Sequence, residues 1–183
     1  MDIYKIDEDL VDEIHLVLEQ MDKAETKALA SHILKARRIF TCGAGESGVV
    51  AQGFALRLLH LGLNAGFIRK KFPKMNAKDL VIAVSGSGET KPVLQIAEKA
   101  KKNGAFVIAI TESRHSSLKK HSNAIVEMKI RPKIKTLAGH LIVPEHVLFE
   151  QSAFIFLDAV CIDLRQKLKI APEKLIKRKK KFD

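Results

Sequence analysis

Short apolar runs alternate along this chain with segments whose hydrophobic residues recur at helical spacing. The clearest run, residues 80–84 (LVIAV), is apolar on both alternating faces and too short for a helix, which is typical of a strand buried in a parallel sheet. Four further runs predict strands at residues 38–42, 65–69, 105–110 and 124–130. Strands that alternate with helices in this way predict an α/β fold with a doubly wound, five-stranded parallel sheet in the flavodoxin-like order 2-1-3-4-5.

The helical segments lie before, within and after the predicted sheet. Apolar spacing predicts two helices before the first strand and one long helix, from His146 to Leu168, after the last. The chain has no internal repeat and no linker rich in Pro, Gly or Ser, and 183 residues is a usual size for one domain. We therefore expect a single domain made of N-terminal helices (1–36), an αβα core (37–170) and a basic tail (171–183).

The third predicted strand ends in a loop of serine and glycine, residues 85–90 (SGSGET), directly before a helix pattern. Gly86 lets the backbone approach a ligand closely. The hydroxyls of Ser85, Ser87 and Thr90 stand where the free amides of a helix N-terminus point outward. This combination predicts a phosphate cradle, with an ordinary strand-to-helix turn as the alternative.

A second loop of the same kind follows the first predicted strand. Residues 43–48 (GAGESG), which include Gly45 and Ser47, predict a tight turn, and a helix is predicted from Val49 to Leu61. Loops after strands one and three meet where a doubly wound sheet reverses its winding, so both are expected to contribute to one ligand site. We call residues 43–48 the first serine loop and residues 85–90 the second serine loop.

Charge and composition narrow the class of partner. The formal net charge is +11, and nearly half of it comes from the run KRKKK at residues 177–181. With one Tyr, no Trp and no recognisable DNA- or RNA-binding motif, a nucleic-acid partner is not expected. The basic tail is expected to be solvated and partly disordered, while the basic surface as a whole would steer anionic substrates towards a phosphate site.

The sequence contains no recognisable signal peptide or membrane span. Charged and polar residues interrupt the most apolar late segment, residues 149–164. Cys42 and Cys161 lack CxxC spacing, which predicts two buried small hydrophobic residues and no disulfide. We therefore expect a soluble, cytoplasmic protein without a membrane partner.

Four motifs together resemble the sugar isomerase (SIS) domain family, and the resemblance covers nearly the full chain. They are GAGESG after strand one, FALRLLHLG in the following helix, DLVIAVSGSGET around strand three, and LFEQ in the late helix. The resemblance implies a three-layer αβα sandwich, a homotetramer, a phosphorylated sugar held at the serine loops, and no metal or cofactor. The second and fourth motifs favour the branch of the family that converts 3-hexulose 6-phosphate to fructose 6-phosphate.

Such a reaction requires a base that removes one carbon-bound proton and returns it to the neighbouring carbon through an enediolate. A carboxylate suits this role, and polar donors must face the developing oxyanion. Glu150 matches the carboxylate of the family's FEQ motif, and the resemblance implies that it is the base. Residue physics alone leaves another role open, because a carboxylate near a helix N-terminus also complements the helix dipole.

His60 is the second candidate for acid/base chemistry. It lies 13 residues after Ser47 in the sequence, which corresponds to about 20 Å along one helix. If His60 acts, we expect it to enter the site of a neighbouring subunit across an interface. The alternative is a histidine on a polar face near a helix C-terminus, where positive charge is favoured.

One departure from the family pattern leaves other functions open. The family usually has a basic residue where this chain has Glu46, which favours a non-catalytic sugar-phosphate-binding module as an alternative. An aldose-ketose phosphate isomerase, such as arabinose 5-phosphate isomerase, is a third possibility.

His146 and Glu150 are four residues apart, with His140 nearby, but without an HExxH motif or clustered cysteines we expect no metal site.

Overall fold

Five parallel strands form the sheet at the centre of the molecule. The computed structural model describes residues 2–69, 72–130 and 144–180. The strands are β1 (Arg38–Cys42), β2 (Ala65–Phe67), β3 (Asp79–Val84), β4 (Phe106–Thr111) and β5 (Ala124–Glu127). They pair in the order β2-β1-β3-β4-β5, all parallel, which confirms the predicted order and the α/β fold.

Helices cover both faces of this sheet. They are α1 (Ile3–Glu19), α2 (Lys23–Lys35), α3 (Gly45–His60), α4 (Lys91–Lys102), α5 (Glu145–Lys167) and α6 (Pro172–Lys179), with a short 3₁₀ helix at Ser117–His121. The carboxylates of Asp2 and Asp22 accept hydrogen bonds from backbone amides in the first turns of α1 and α2, as N-cap residues do.

Strand β3 divides the apolar core into two layers. All six of its residues are buried. Leu80, Ile82 and Val84 face a cluster built with residues of α1, α2, α3 and α5, whereas Val81 and Ala83 face a cluster built with α4. An apolar run without alternation is required at this position because both sides of the strand are covered.

Helix α3 begins earlier than the sequence analysis expects. Residues 43–48 were expected to form a tight turn, but α3 starts at Gly45, and the Gly48 amide donates to the Ala44 carbonyl at 3.1 Å. A Cβ on Gly43 would lie 2.5 Å from the Ser47 carbonyl oxygen. Glycine therefore lets the end of β1 pack directly on the first turn of α3, so the small residues mark a close approach of two elements.

The basic tail also differs from expectation, because residues 172–179 form helix α6. Pro172 occupies its first turn, where the missing N–H costs no hydrogen bond. Arg178 Nη1 donates to the carbonyl oxygen of Leu61 at 2.5 Å and so satisfies a free carbonyl at the end of α3. A Cβ on Gly62 would occupy the place of this guanidinium group. Only residues 181–183 of the tail lie outside the described residues.

Two further sequence expectations concern cysteines and membrane spans. Cys42 and Cys161 are free and buried, as predicted. Burial raises the pKa of both thiols to about 12, so they remain protonated at neutral pH. Within the described ranges, no helix has the length and apolar character needed to span a bilayer.

Candidate active site

The first serine loop and helix α5 meet through one side-chain hydrogen bond. Ser47, in the first turn of α3, donates from Oγ to Glu150 Oε1 at 2.5 Å. Ser47 is buried, and Glu150 is half-buried in the second turn of α5. A predicted phosphate-binding residue and the predicted base therefore lie in direct contact.

Glu150 lies in an environment that favours its protonated form. Burial is the main cause that raises the pKa of its carboxyl group above the ordinary value, and the negative charge of Glu46 adds to it. The hydrogen bond from Ser47 acts in the opposite direction, as does the positive charge of His146. Glu150 Oε2 is shielded from solvent and has no hydrogen-bond partner among the described residues. This oxygen therefore keeps its capacity to accept a hydrogen bond.

A cavity of about 350 Å³ opens beside the Glu150 carboxylate. It lies between α3 and α5, and its walls combine two carboxylates, one amide and apolar side chains. The residues that line it are Glu46, Val49, Val50, Val147, Glu150, Gln151 and Phe154. A cavity of this size suits a small molecule, and Glu46 places a carboxylate where the resemblance to the SIS family implies a cation.

The second serine loop presents its hydroxyl groups on the same edge of the sheet, at the carboxyl end of β3. Ser85 is buried; its hydroxyl lies 3.0 Å from that of Thr90 and accepts a hydrogen bond from the Gly88 amide at 3.2 Å. Ser87 is exposed, and its hydroxyl accepts a turn hydrogen bond from the Glu89 amide, at 3.2 Å. Thr90 precedes α4 and makes no side-chain cap hydrogen bond. In the first turn of α4, Pro92 has no N–H, and the amides of Val93 and Leu94 donate to the Thr90 carbonyl at 2.9 and 3.0 Å.

Gly86 brings the second serine loop next to helix α5. A Cβ at this position would lie 2.6 Å from Glu112 Oε1 and 3.1 Å from the ring of Phe149. Since Phe149 directly precedes Glu150, the two serine loops converge on the start of α5, as the sheet order predicts. The sequence analysis missed Glu112, although its position directly after β4 places it at the same edge of the sheet.

Gly45 and His60 occupy opposite ends of α3. Gly45 is the exposed first residue of the helix, with a φ of +55°, beside the site. His60 is its last residue, about 20 Å away along the axis. It lines a separate cavity of about 310 Å³ between α3, α5 and α6, together with Arg57 and Asp158. The structure does not bring His60 to the Glu150 of the same chain.

The histidine and glutamate residues of α5 form no cluster of metal ligands. Across residues 2–69, 72–130 and 144–180, no three His, Cys, Asp or Glu side chains come together in a way that would hold a metal ion. His146 lies close enough to Glu150 to influence its carboxylate. His140 falls outside the described residues.

Comparison with known proteins identifies the family. Residues 32–145, more than half of the chain, match the SIS domain. The chain belongs to the SIS domain family. This confirms the resemblance drawn from the sequence motifs.

Relatives within the SIS family include named isomerases. Over 161 residues, 87 % of both chains, the protein is 39 % identical to a 3-hexulose-6-phosphate isomerase of Bacillus subtilis (strain 168). Over 157 residues it is 34 % identical to a 3-hexulose-6-phosphate isomerase of Methanocaldococcus jannaschii, covering 85 % of this chain and 83 % of that protein. The chain is therefore similar to these enzymes over most of its length.

Solved structures agree with the SIS fold. A Methanococcus jannaschii protein, for which the crystal structure infers a function of 3-hexulose-6-phosphate isomerase, has a TM-score of 0.80 and 29 % identity, covering 95 % of this chain and 97 % of that one. The sugar isomerase domain of an RpiR transcription factor from Sphaerobacter thermophilus has a TM-score of 0.74 and 16 % identity, over 98 % and 97 % of the two chains. At that lower identity the likeness concerns the fold.

Proposed function

We propose that this SIS-domain protein is a sugar-phosphate isomerase that interconverts ketose phosphates through an enediolate. The preferred reaction is the conversion of 3-hexulose 6-phosphate to fructose 6-phosphate, as in the named relatives. The observation that carries the proposal is the Ser47–Glu150 hydrogen bond at the edge of the sheet where both serine loops converge. It places the Glu150 carboxylate, the proposed base, beside the loops proposed to bind the phosphate group.

Phosphate binding falls to the second serine loop and the first turn of α3. The hydroxyls of Ser85, Ser87 and Thr90 supply neutral donors, which suit a phosphate dianion. Gly86 lets this loop pack against Glu112 and Phe149, and no atom lies within 4 Å of a Cβ built at Gly45. Once the phosphate is fixed, the sugar carbons extend towards the start of α5.

Glu150 then moves the proton. Its Oε2 removes the proton from C2 of the 3-ketose. The electrons of that C–H bond form the C2–C3 double bond of the enediolate, and the C3 oxygen becomes negative. The same carboxyl group returns the proton to C3 while the carbonyl forms at C2. A proton also passes from the C2 oxygen to the C3 oxygen, so the reaction is balanced without an external reductant or oxidant.

A non-catalytic sugar-phosphate-binding module is the second candidate, and Glu46 favours it. The Glu46 carboxylate lines the cavity beside Glu150, and its negative charge raises the pKa of the Glu150 carboxyl group. In such a module the serine loops would bind the phosphate while Glu150 stayed protonated and idle.

The proposal includes a homotetramer whose sites are completed across subunits. The outer faces of α3 and α5 expose large apolar side chains: Val49 is 67 %, Leu56 41 %, Ile155 46 % and Ile162 61 % exposed. Such apolar faces are typical of surfaces that pack against another copy. The position of His60, remote from its own site, also fits a role in a neighbouring one. Sedimentation at micromolar concentration is expected to give an oligomer, and a stable monomer would contradict this part of the proposal.

A coupled assay tests the isomerase directly. The purified protein, offered 3-hexulose 6-phosphate, is expected to form fructose 6-phosphate, detected by a dehydrogenase coupled through glucose 6-phosphate. Calorimetry with fructose 6-phosphate runs in parallel. Binding without turnover would favour the module, and absence of both would refute the sugar-phosphate assignment.

A further inference from the structure

Arg114 joins three separate segments behind the second serine loop. Its Nε donates to Glu127 Oε2 at 2.8 Å, and its Nη2 donates to Glu25 Oε1 at 3.0 Å. The Arg114 amide also donates to Glu127 Oε1 at 3.1 Å, and the Glu127 amide donates to Glu25 Oε2 at 3.0 Å. Both carboxylates are largely buried, with 20 % and 10 % of the side chains of Glu25 and Glu127 exposed.

This network holds the segment that follows β4 against α2 and β5. We call residues 112–118 the support loop. Charge-assisted hydrogen bonds from a guanidinium group fix geometry in two directions at once. Because Arg114 lies within the support loop, its contacts with Glu25 and Glu127 tie that loop to α2 and β5.

The support loop in turn holds the second serine loop from behind. The Glu112 amide donates to the Gly86 carbonyl at 2.9 Å, and the Leu118 amide donates to the Gly88 carbonyl at 3.0 Å. The Ser117 amide donates to the Glu89 carboxylate at 2.6 Å. Three residues of the second serine loop, Gly86, Gly88 and Glu89, thus accept hydrogen bonds from the support loop.

Gly88 shows how closely the two loops fit. Its φ of +64° is a conformation that glycine adopts readily, and a Cβ there would collide with the side chain of Ser116. The same Cβ would lie 2.9 Å from the hydroxyl oxygen of Thr111. This hydroxyl donates a hydrogen bond to the Gly86 carbonyl at 2.9 Å. The shape of the second serine loop therefore depends on the position of the segment behind it.

We propose that Arg114 is a positioning residue for the second serine loop, acting through the support loop on affinity for the phosphate group of the ligand. The choice of ligand rests on the proposed function, whereas the positioning of the loop does not. Since a displacement of about 1 Å at a binding loop is enough to weaken a site severely, loss of Arg114 is expected to affect binding from a distance.

Arg38 offers a matched control. Its guanidinium group donates to both oxygens of the Asp79 carboxylate, at 2.9 and 2.6 Å, in a comparably partly buried pair. Both residues begin their strands, so the pair lies at the opposite edge of the sheet from the serine loops. Arg38→Ala and Arg114→Ala each remove one arginine that bridges segments, but only the second is connected to the second serine loop.

The experiment compares the parent, Arg114→Ala and Arg38→Ala by thermal melting, by calorimetry with fructose 6-phosphate, and by hydrogen exchange of the amides of residues 86–90 without ligand. Both variants are expected to melt at lower temperature than the parent. Only Arg114→Ala should show faster exchange at residues 86–90 and an increase of about tenfold or more in Kd.

Three outcomes would overturn the proposal. Unchanged exchange in Arg114→Ala would do so even with weaker binding, because Arg114 would then contact the ligand directly. Faster exchange with unchanged affinity would show that the shape of the loop does not matter for the ligand. Equal effects in Arg38→Ala would reveal a general loss of stability. A parent that binds no sugar phosphate would refute the proposed function, while exchange would still decide whether Arg114 positions the loop.

Discussion

The Ser47 hydroxyl donates a hydrogen bond of 2.5 Å to the Glu150 carboxylate, joining two residues that are 103 positions apart in the sequence. Ser47 lies in the first turn of α3, which follows β1, and Glu150 lies in the second turn of α5. This contact orients the carboxylate through one oxygen, while the other, Oε2, has no hydrogen-bond partner among the described residues.

Replacement of Glu150 tests the base. Glu150→Gln still accepts the hydrogen bond from Ser47 but cannot accept the substrate proton, so turnover should fall about a hundred- to ten-thousandfold while fructose 6-phosphate still binds. Steady-state kinetics and calorimetry measure the two effects. Glu145→Gln removes a carboxylate from the same helix outside the cavity and should retain parental turnover. A Glu150→Gln variant as fast as the parent would show that another group is the base.

The pH dependence of catalysis should report the environment of Glu150. Burial raises its pKa above the ordinary glutamate value, and a base acts only when deprotonated, so kcat/KM should rise with pH through that raised pKa. The hydrogen bond from Ser47 lowers the pKa. Ser47→Ala should therefore move the acidic limb of the profile to higher pH, and a shift to lower pH would contradict this account.

Glu46 should determine how active the site is. Its negative charge raises the pKa of Glu150 and replaces a cation that is usual in the family. Glu46→Arg should lower that pKa, move the acidic limb of kcat/KM to lower pH, and strengthen sugar-phosphate binding. In an isomerase the variant should also turn over faster at neutral pH. In a binding module it should bind more tightly and remain inactive, which separates the two candidate functions.

Ser87 should contribute to phosphate affinity without contributing to stability. Ser87→Ala removes an exposed hydroxyl, and a hydrogen bond to a charged group contributes about 1.5–3 kcal/mol, so Kd for fructose 6-phosphate should rise about ten- to a hundredfold. Equal affinity of the Ser87→Ala variant and the parent would remove Ser87 from the site.

A mixing experiment tests whether His60 serves a neighbouring subunit. Glu150→Gln and His60→Asn should each be impaired as pure proteins. When subunits of the two variants exchange in equal amounts, about a quarter of the sites in a two-subunit arrangement regain both residues, and activity should recover in proportion. Recovery is impossible if both residues must come from one chain, so mixtures no more active than the variants would place His60 outside the site.

The alternation of apolar runs and helical patterns was sufficient to predict the sheet. The run at residues 80–84 requires cover on both faces, and the structure buries all of β3 between two core clusters. The order of the strands was expected because 2-1-3-4-5 is a common order in doubly wound sheets, and the structure has it. The serine loops could also be predicted from local sequence. Glycine and hydroxyl residues between a strand pattern and a helix pattern are typical of a loop that allows close backbone approach and offers hydrogen-bond donors.

Local patterns failed where a distant segment decides the structure. The residues GAGESG look like a turn, but the packing of β1 on α3 extends the helix back to Gly45. The basic tail has the composition of a solvated end, yet residues 172–179 form helix α6, in which no residue is buried, and Arg178 bonds to the Leu61 carbonyl. Good helix formers and Pro172 in the first turn favour this helix locally, whereas the early start of α3 depends on a tertiary contact.

The sequence by itself determined the type of fold, the edge of the sheet where a ligand would bind, and the residue types available for chemistry, because these depend on periodicity and on the positions of loops along the chain. Only the tertiary structure decided that Ser47 contacts Glu150, that Glu112 lies against Gly86, and that Arg114 joins α2 to β5 behind the second serine loop. Each of these relationships links residues that are far apart in the chain. Side-chain contacts and the burial that shifts a pKa arise only when such segments pack together.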